Sequence, residues 1–356
     1  MGGAAAWPDA LSPDGRYLAL TTGFDGNGQS VLGLFDTQQG RFITVDSGVG
    51  FVPLGWSDQG QLLYLATISP SLFNGLFYDY ELDRFQPGAG SSAVGMQSYV
   101  SLDWPGTTRW SAGHTWLGLT MNTQPGDRLA PALMASDTLG GGNSQGAPRL
   151  LADTGWGPVI SPDGTRAVYS SNLPDTPGGA PGLRLAAVDL ANGARQVLAT
   201  AANLQSAGAR LDVLAPLNWS PDGQWLALLV GGSNSNNARV YLMPSGGGEP
   251  RPAQTALPDN WVANTIGFSG DSQYLAYTTR GSPDSIDRLE VIALAGGQSK
   301  SVALIDLPSD VSAAWSPRGH QLALASPDGV YVMDPASGAT QWVAGGDCRG
   351  VGWYAK

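Results

Sequence analysis

The residues able to do chemistry in this chain are few, and their spacing favours binding over bond making. Gly142-Asn143-Ser144-Gln145-Gly146 has the spacing of a hydrolase nucleophile motif, which needs a strand before the serine and a helix after it. Here the surroundings are glycine-rich, and Pro148-Arg149-Leu150-Leu151 reads as a strand, so a turn is expected. The histidines, His114 and His320, fall at turn sites of separate repeats, and no shared metal or catalytic base is expected of them. Asp25-Gly26-Asn27-Gly28-Gln29-Ser30 begins like a calcium loop. Its twelfth position is Asp36, in an apparent strand, where that loop needs a glutamate, so a hairpin loop is the simpler reading.

Aromatic residues offer more. Trp7, Phe51, Trp104, Trp156 and Trp261 stand near the starts of apolar strand patterns, with Arg109, Asp347 and Arg349 as polar companions. Gathered together they would form an apolar platform with a few polar handles, the usual make-up of a ligand or partner site. The same rings could instead pack between sheets, as buried aromatics commonly do. An enzyme built at this place would draw on Asp9, Asp103, Asp259 or Asp347. No catalytic residue, metal ligand or cofactor is assigned from the sequence.

A repeated phrase positions these residues. A bulky apolar residue, a serine and a tight turn recur at Leu11-Ser12-Pro13-Asp14-Gly15, Trp56-Ser57-Asp58-Gln59-Gly60, Trp110-Ser111-Ala112-Gly113, Ile160-Ser161-Pro162-Asp163-Gly164, Trp219-Ser220-Pro221-Asp222-Gly223, Phe268-Ser269-Gly270-Asp271-Ser272 and Trp315-Ser316-Pro317-Arg318-Gly319. The serines are 45, 54, 50, 59, 49 and 47 residues apart, the period of a β-propeller blade. In Ser-Pro-Asp-Gly the serine bonds locally, proline pre-sets φ, aspartate favours the third turn position and glycine accepts positive φ. After the fifth turn, Trp225, Ala227 and Leu229 share one strand face and Leu226 and Leu228 the other. Both faces are apolar, as a strand between two neighbouring sheets requires.

Third strands are expected at Leu32–Phe35, Leu76–Tyr80, Leu183–Leu190, Arg239–Met243, Leu289–Leu294 and Val330–Met333. Fourth strands follow at Arg41–Val45, Arg195–Leu198, Ser301–Ile305 and Gln341–Val343, and Gln86–Gly106 reads as an insertion or long loop. The residue before each serine is large, and the one before that is mostly small, so a large residue should settle against a small one on the next sheet. The expected fold is an all-β, seven-bladed β-propeller of four-stranded antiparallel blades, one domain over residues 1–356. Cys348-Arg349-Gly350-Val351-Gly352-Trp353 and Trp7–Leu11 compete to close its ring.

Ser-Pro-Asp-Gly before an apolar strand, with an aromatic ahead of the serine, resembles the TolB-like, WD-like propeller repeat. The repeat also occurs in the propeller domains of prolyl oligopeptidase and dipeptidyl peptidase relatives. The resemblance implies a bacterial extracytoplasmic protein, periplasmic or secreted, that binds proteins or cell-envelope components. Seven copies depart from the six blades of TolB. Some propeller lyases with related repeats hold a metal on several histidines, more than two histidines can supply.

Composition narrows the partners. Net charge is -11, and Lys300 and Lys356 are the only lysines, so there is no basic stripe for nucleic acid or an anionic membrane. Cys348 is the single cysteine, which rules out an intramolecular disulfide. No apolar run approaches 18 residues, so no membrane span is expected. Met1-Gly2-Gly3-Ala4-Ala5-Ala6 reads as an added start or the end of a trimmed leader. The leading expectation is a non-enzymatic propeller that engages a protein or envelope partner at the channel mouth. The alternatives are a lyase or hydrolase acting on a glycan or lactone in the channel, and a structural subunit of a surface assembly.

Overall fold

The computed structural model describes residues 11–12, 14–21, 29–57, 60–70, 78–100, 108–110, 116–122, 129–135, 149–152, 154–155, 157–172, 182–206, 213–231, 239–253, 261–280, 287–294, 300–307, 312–326 and 328–346. Among them the chain is almost wholly strand, with one short helix, α1 (Ala201–Ser206).

Each serine turn leads into its own run of strands. The first repeat pairs Leu11 with Leu18 in a lone bridge, then adds β1 (Tyr17–Thr21), β2 (Ser30–Asp36) and β3 (Arg41–Gly48). The second comprises β4 (Phe51–Trp56), β5 (Leu62–Pro70), β6 (Tyr78–Gln86) and β7 (Gly90–Val100). The third comprises β8 (Thr108–Trp110), β9 (Trp116–Asn122), β10 (Leu129–Ala135) and β11 (Arg149–Leu150), and a single β7–β9 pair, Tyr99 with Asn122, merges the two into one eight-stranded sheet.

Four separate antiparallel sheets of four strands follow in sequence order. They are β12 (Val159–Ile160) to β15 (Arg195–Thr200) through β13 (Arg166–Ser171) and β14 (Arg184–Asp189), and β16 (Val213–Trp219) to β19 (Arg251–Pro252) through β17 (Trp225–Gly231) and β18 (Arg239–Pro244). The last two are β20 (Trp261–Phe268) to β23 (Lys300–Leu307) through β21 (Tyr274–Arg280) and β22 (Asp287–Ala293), and β24 (Ser312–Trp315) to β27 (Ala339–Gly345) through β25 (Leu322–Ser326) and β26 (Gly329–Asp334).

Expected third and fourth strands match β2, β14, β18, β22 and β26, and β3, β15, β23 and β27, within a few residues. Gln86–Gly106 differs from its expectation. Most of it is the eleven-residue β7, which pairs with β6 in antiparallel register. Its pairing skips Val94 and Gly95, and that bulge breaks the apolar alternation that would have betrayed the strand. Bulges recur at the same place in other repeats, where the outer strand leaves Val45, Leu198, Val302 or Val343 unpaired.

The core lies between sheets. Leu226, Leu228 and Val230 of β17 pack with Val168, Leu185 and Ala187 of the preceding sheet. Ala227 and Leu229, one residue out of phase, pack with Phe268, Leu275 and Tyr277 of the following one. A strand of alternating two-sided contacts is what its doubly apolar pattern predicts. Each fully buried valine, leucine or phenylalanine among them contributes roughly 1.5–3 kcal/mol by leaving water. First strands adjoin in succession, β4 with β8, β12 with β16, β16 with β20 and β20 with β24, while the last strand, β27, is exposed throughout. The sheets are therefore set radially, first strand inward and fourth outward. The closing strands expected at Trp7–Ala10 and Cys348–Trp353 lie outside the described residues.

Candidate functional site

The first strands have two ends, and each gathers a different chemistry. Their C-terminal ends run into the serine turns, whose side-chain network explains the repeat. In the first, fourth, fifth and sixth turns the serine hydroxyl donates to an aspartate: Ser12 to Asp14 (2.6 Å), Ser161 to Asp163 (2.5 Å), Ser220 to Asp222 (2.5 Å) and Ser269 to Asp271 (2.7 Å). The same oxygens accept the N–H of Tyr17, Arg166, Trp225 and Tyr274, five residues on, at 2.8–3.0 Å. Aspartate accepts a further N–H two residues downstream, as Asp222 does from Gln224. Every polar atom of the buried serine is thereby satisfied. Hydrogen bonds from Ser161 and Thr165 hold the Asp163 carboxyl below the usual range. The last turn has arginine in place of aspartate, and Ser316 donates to the Arg318 carbonyl (2.9 Å) instead.

The tryptophan before the serine ties one sheet to the one before it. Trp219 Nε1 donates to the Val159 carbonyl (3.2 Å) and Trp315 Nε1 to the Gly267 carbonyl (2.7 Å). Both acceptors sit two residues before a serine, so the expected pairing of large on small is met and gains a hydrogen bond. In the first and sixth repeats the residue five after the serine covers the next tryptophan: Tyr17 stacks on Trp56 at 6.2 Å and Tyr274 on Trp315 at 6.3 Å, ring centre to ring centre.

Successive turns also bond to each other. The Asp222 N–H donates to Ser272 Oγ (2.9 Å), and the Asp271 N–H to the Gly319 carbonyl (3.1 Å). Ser272 is the one non-glycine residue with positive φ (61°) among those described, and its hydroxyl makes this seal. His320 Nδ1–H meets Asp271 Oδ2 at 2.7 Å, with its ring 5.3 Å from Tyr274. A carboxylate only accepts, so the proton resides on Nδ1. Burial pushes the Asp271 carboxyl up, but bonds from Ser269, His320 and the Gln273 N–H outweigh it and hold it low. His320 is thus a fastener between two turns, while His114 lies outside the described residues, as does the Gly142–Gly146 motif.

Of the aromatics singled out in the sequence, Phe51 and Trp261 lie at the N-terminal ends of first strands. Phe51 opens β4, half-buried, with its ring edge-on to Tyr64 at 6.1 Å. Arg109 pairs with Gly118 within β8–β9, and Trp261 opens β20 opposite Arg280. Trp7, Trp104, Trp156, Asp347 and Arg349 lie outside the described residues, as do Asp9, Asp103 and Asp259.

Sequence reading missed an acidic cluster beside Phe51. Tyr64 is fully buried and donates to Asp46 Oδ2 (3.1 Å), across the joint between the first two repeats. Asp83 pairs with Tyr64 in register, and burial, reinforced by Glu81 and Asp46, pushes its carboxyl up to about 6. The alternation Asp79, Glu81, Asp83 on one strand face was the available signal.

Comparison with solved structures fits this geometry. A prolyl endopeptidase aligns over 98% of this chain and 50% of its own, at 10% identity and a TM-score of 0.56. An oligogalacturonate lyase in complex with manganese aligns over 97% of this chain and 86% of its own, at 13% identity and 0.51. The fold is a β-propeller. TolB from Acinetobacter baumannii also matches, over 94% of this chain and 82% of its own, at 14% identity and 0.41. The propeller here spans half the length of the prolyl endopeptidase. No family profile matches the chain, and no curated protein sequence does. No helix among the described residues is long and apolar enough to cross a membrane.

Proposed function

We propose that this chain is a binding propeller of the bacterial cell envelope, exported, that engages a protein or envelope partner where its first strands begin. The observation that supports the reading is the side-by-side contact of successive first strands, an arrangement in which their leading residues would share one rim. Phe51 and Trp261 open two of them. Around these two, Trp7, Trp104 and Trp156 would complete an apolar platform, with Arg109, Asp347 and Arg349 as its polar handles. At the other end, the serine turns of the first, fourth, fifth and sixth repeats spend their hydroxyls and one carboxylate oxygen each within the turn. Replacing Trp104, Trp156 and Trp261 together by alanine should abolish capture of the partner from an envelope extract while the thermal transition stays in place. Undiminished capture by the triple variant would reject this rim.

A second reading, a lyase acting on a glycan within the channel, draws on the alignment with oligogalacturonate lyase over nearly the whole chain. It would require carboxylates such as Asp9, Asp103, Asp259 or Asp347 to meet at the rim. Metal analysis of the purified protein together with a glycan-turnover screen separates the two readings. Turnover would overturn the binding role as the whole function.

A further inference from the structure

The serine turns of the fifth, sixth and seventh repeats are bonded edge to edge, but those of the fourth and fifth are not. Among the described residues no hydrogen bond joins Ser161–Gly164 to Ser220–Gly223. A groove of about 510 Å³ opens between them, within the range of small-ligand sites. Pro162 and Pro221 wall it, Asp163 and Asp222 flank it, and Arg166 and Trp219 belong to its lining.

Arg166 stands five residues after its serine, where other repeats place Tyr17, Trp225 and Tyr274. It does the covering task of Tyr17 and Tyr274, its guanidinium 5.2 Å from the centre of the Trp219 ring. An aromatic would do that at no cost in unpaired donors. Arg166 is half-buried, and among the described residues its guanidinium makes no hydrogen bond and no contact ion pair, although its charge is near enough to Asp163 to help lower that carboxyl. Ser161 and Ser220 have spent their hydroxyls within their turns, whereas the Oδ2 atoms of Asp163 and Asp222 carry no hydrogen bond.

We propose that this groove is a binding site for a small carboxylate that also carries hydroxyl or ammonium donors. The ligand carboxylate takes the fork of Arg166 in two parallel hydrogen bonds, and its donors reach the free oxygens of Asp163 and Asp222. Two flanking carboxylates disfavour a doubly charged phosphate and tolerate a monoanion with donors of its own. The site lies at the end of the propeller opposite the proposed partner rim and does not depend on that reading.

Calorimetric titration of the whole chain with D-gluconate, a hydroxy acid, and L-alanine, an amino acid, tests the assignment. Saturable binding of at least one is expected, and which one binds tells hydroxyl from ammonium donors. Arg166→Tyr restores the aromatic used in other repeats, so it should keep the thermal transition yet weaken binding by roughly tenfold or more. Arg318→Gln, in the last turn, should bind as the parent does. D-glucitol, which has the hydroxyls without the carboxylate, should give no heat. Absence of saturation by either carboxylate above about 10 mM would overturn the proposal, and so would unchanged binding by Arg166→Tyr or equally tight binding of inorganic phosphate.

Discussion

Equivalent turns behave differently at two joints of one face. Between the fifth, sixth and seventh repeats, main-chain and side-chain bonds from Asp222, Ser272, Asp271, Gly319 and His320 sew the turns together. Between the fourth and fifth the same turns stand apart among the described residues, where the buried bond from Trp219 to the Val159 carbonyl crosses nearby. Sheet packing beneath is alike at both joints, since a closed apolar cluster fills each. What varies is the surface stitching, and it varies through single residues: a serine where glycine is usual, a histidine after the last turn, an arginine where an aromatic is usual. A repeat fixes the frame, and departures from it carry whatever is particular to this molecule.

The largest expected effect sharpens the likeness beneath the difference. Trp219, 7% exposed, should cost about 3–5 kcal/mol on replacement by alanine. Trp315, less buried but with the same type of hydrogen bond, should cost less; urea unfolding of both variants measures the gap.

A third joint, between the first two repeats, adds charge to the contrast. With its carboxyl raised to about 6, folded Asp83 holds a proton more tightly than the unfolded chain does, so stability falls as pH rises from about 4 through 6. Asp83→Asn should therefore raise stability at pH 7.5 by up to about 2–3 kcal/mol and flatten that slope. An unchanged pH profile of the melting temperature would show that the carboxylate is better solvated than its burial implies.

Smaller effects separate the turns themselves. Ser220→Ala strands an aspartate and a main-chain N–H and should cost about 1–3 kcal/mol, whereas Ser316→Ala, with only a carbonyl as its acceptor, should cost about 1 kcal/mol. Ser272→Gly relieves a positive φ while it removes the acceptor for Asp222, so the two changes should nearly cancel in stability. The joint nonetheless opens, and the Asp222 amide should exchange faster.

Most of the frame was legible because it is local. Ser-Pro-Asp-Gly encodes its own turn, and period-2 alternation in Trp225–Leu229 encodes a strand with two dry faces, both of which the structure bears out. β7 was hidden because serine, glycine and a bulge interrupt its alternation. The joints were hidden for another reason. Bonds such as Asp222 to Ser272 and His320 to Asp271 link residues about fifty apart, and no window along the chain contains both partners. Arg166 was visible only as a substitution in an aligned position, whose meaning needed Trp219 beneath it. At the start of β4, the ring of Phe51 is already packed against Tyr64.

Amide hydrogen exchange at three equivalent positions tests the contrast most directly. Asp222 and Asp271 donate their N–H groups across a joint, and Asp163, at the same place in its turn, has no acceptor among the described residues. Slow exchange at Asp222 and Asp271 with fast exchange at Asp163 is the predicted result. Equal protection at all three would mean that the fourth and fifth repeats are sealed like the others, and the open groove would not exist.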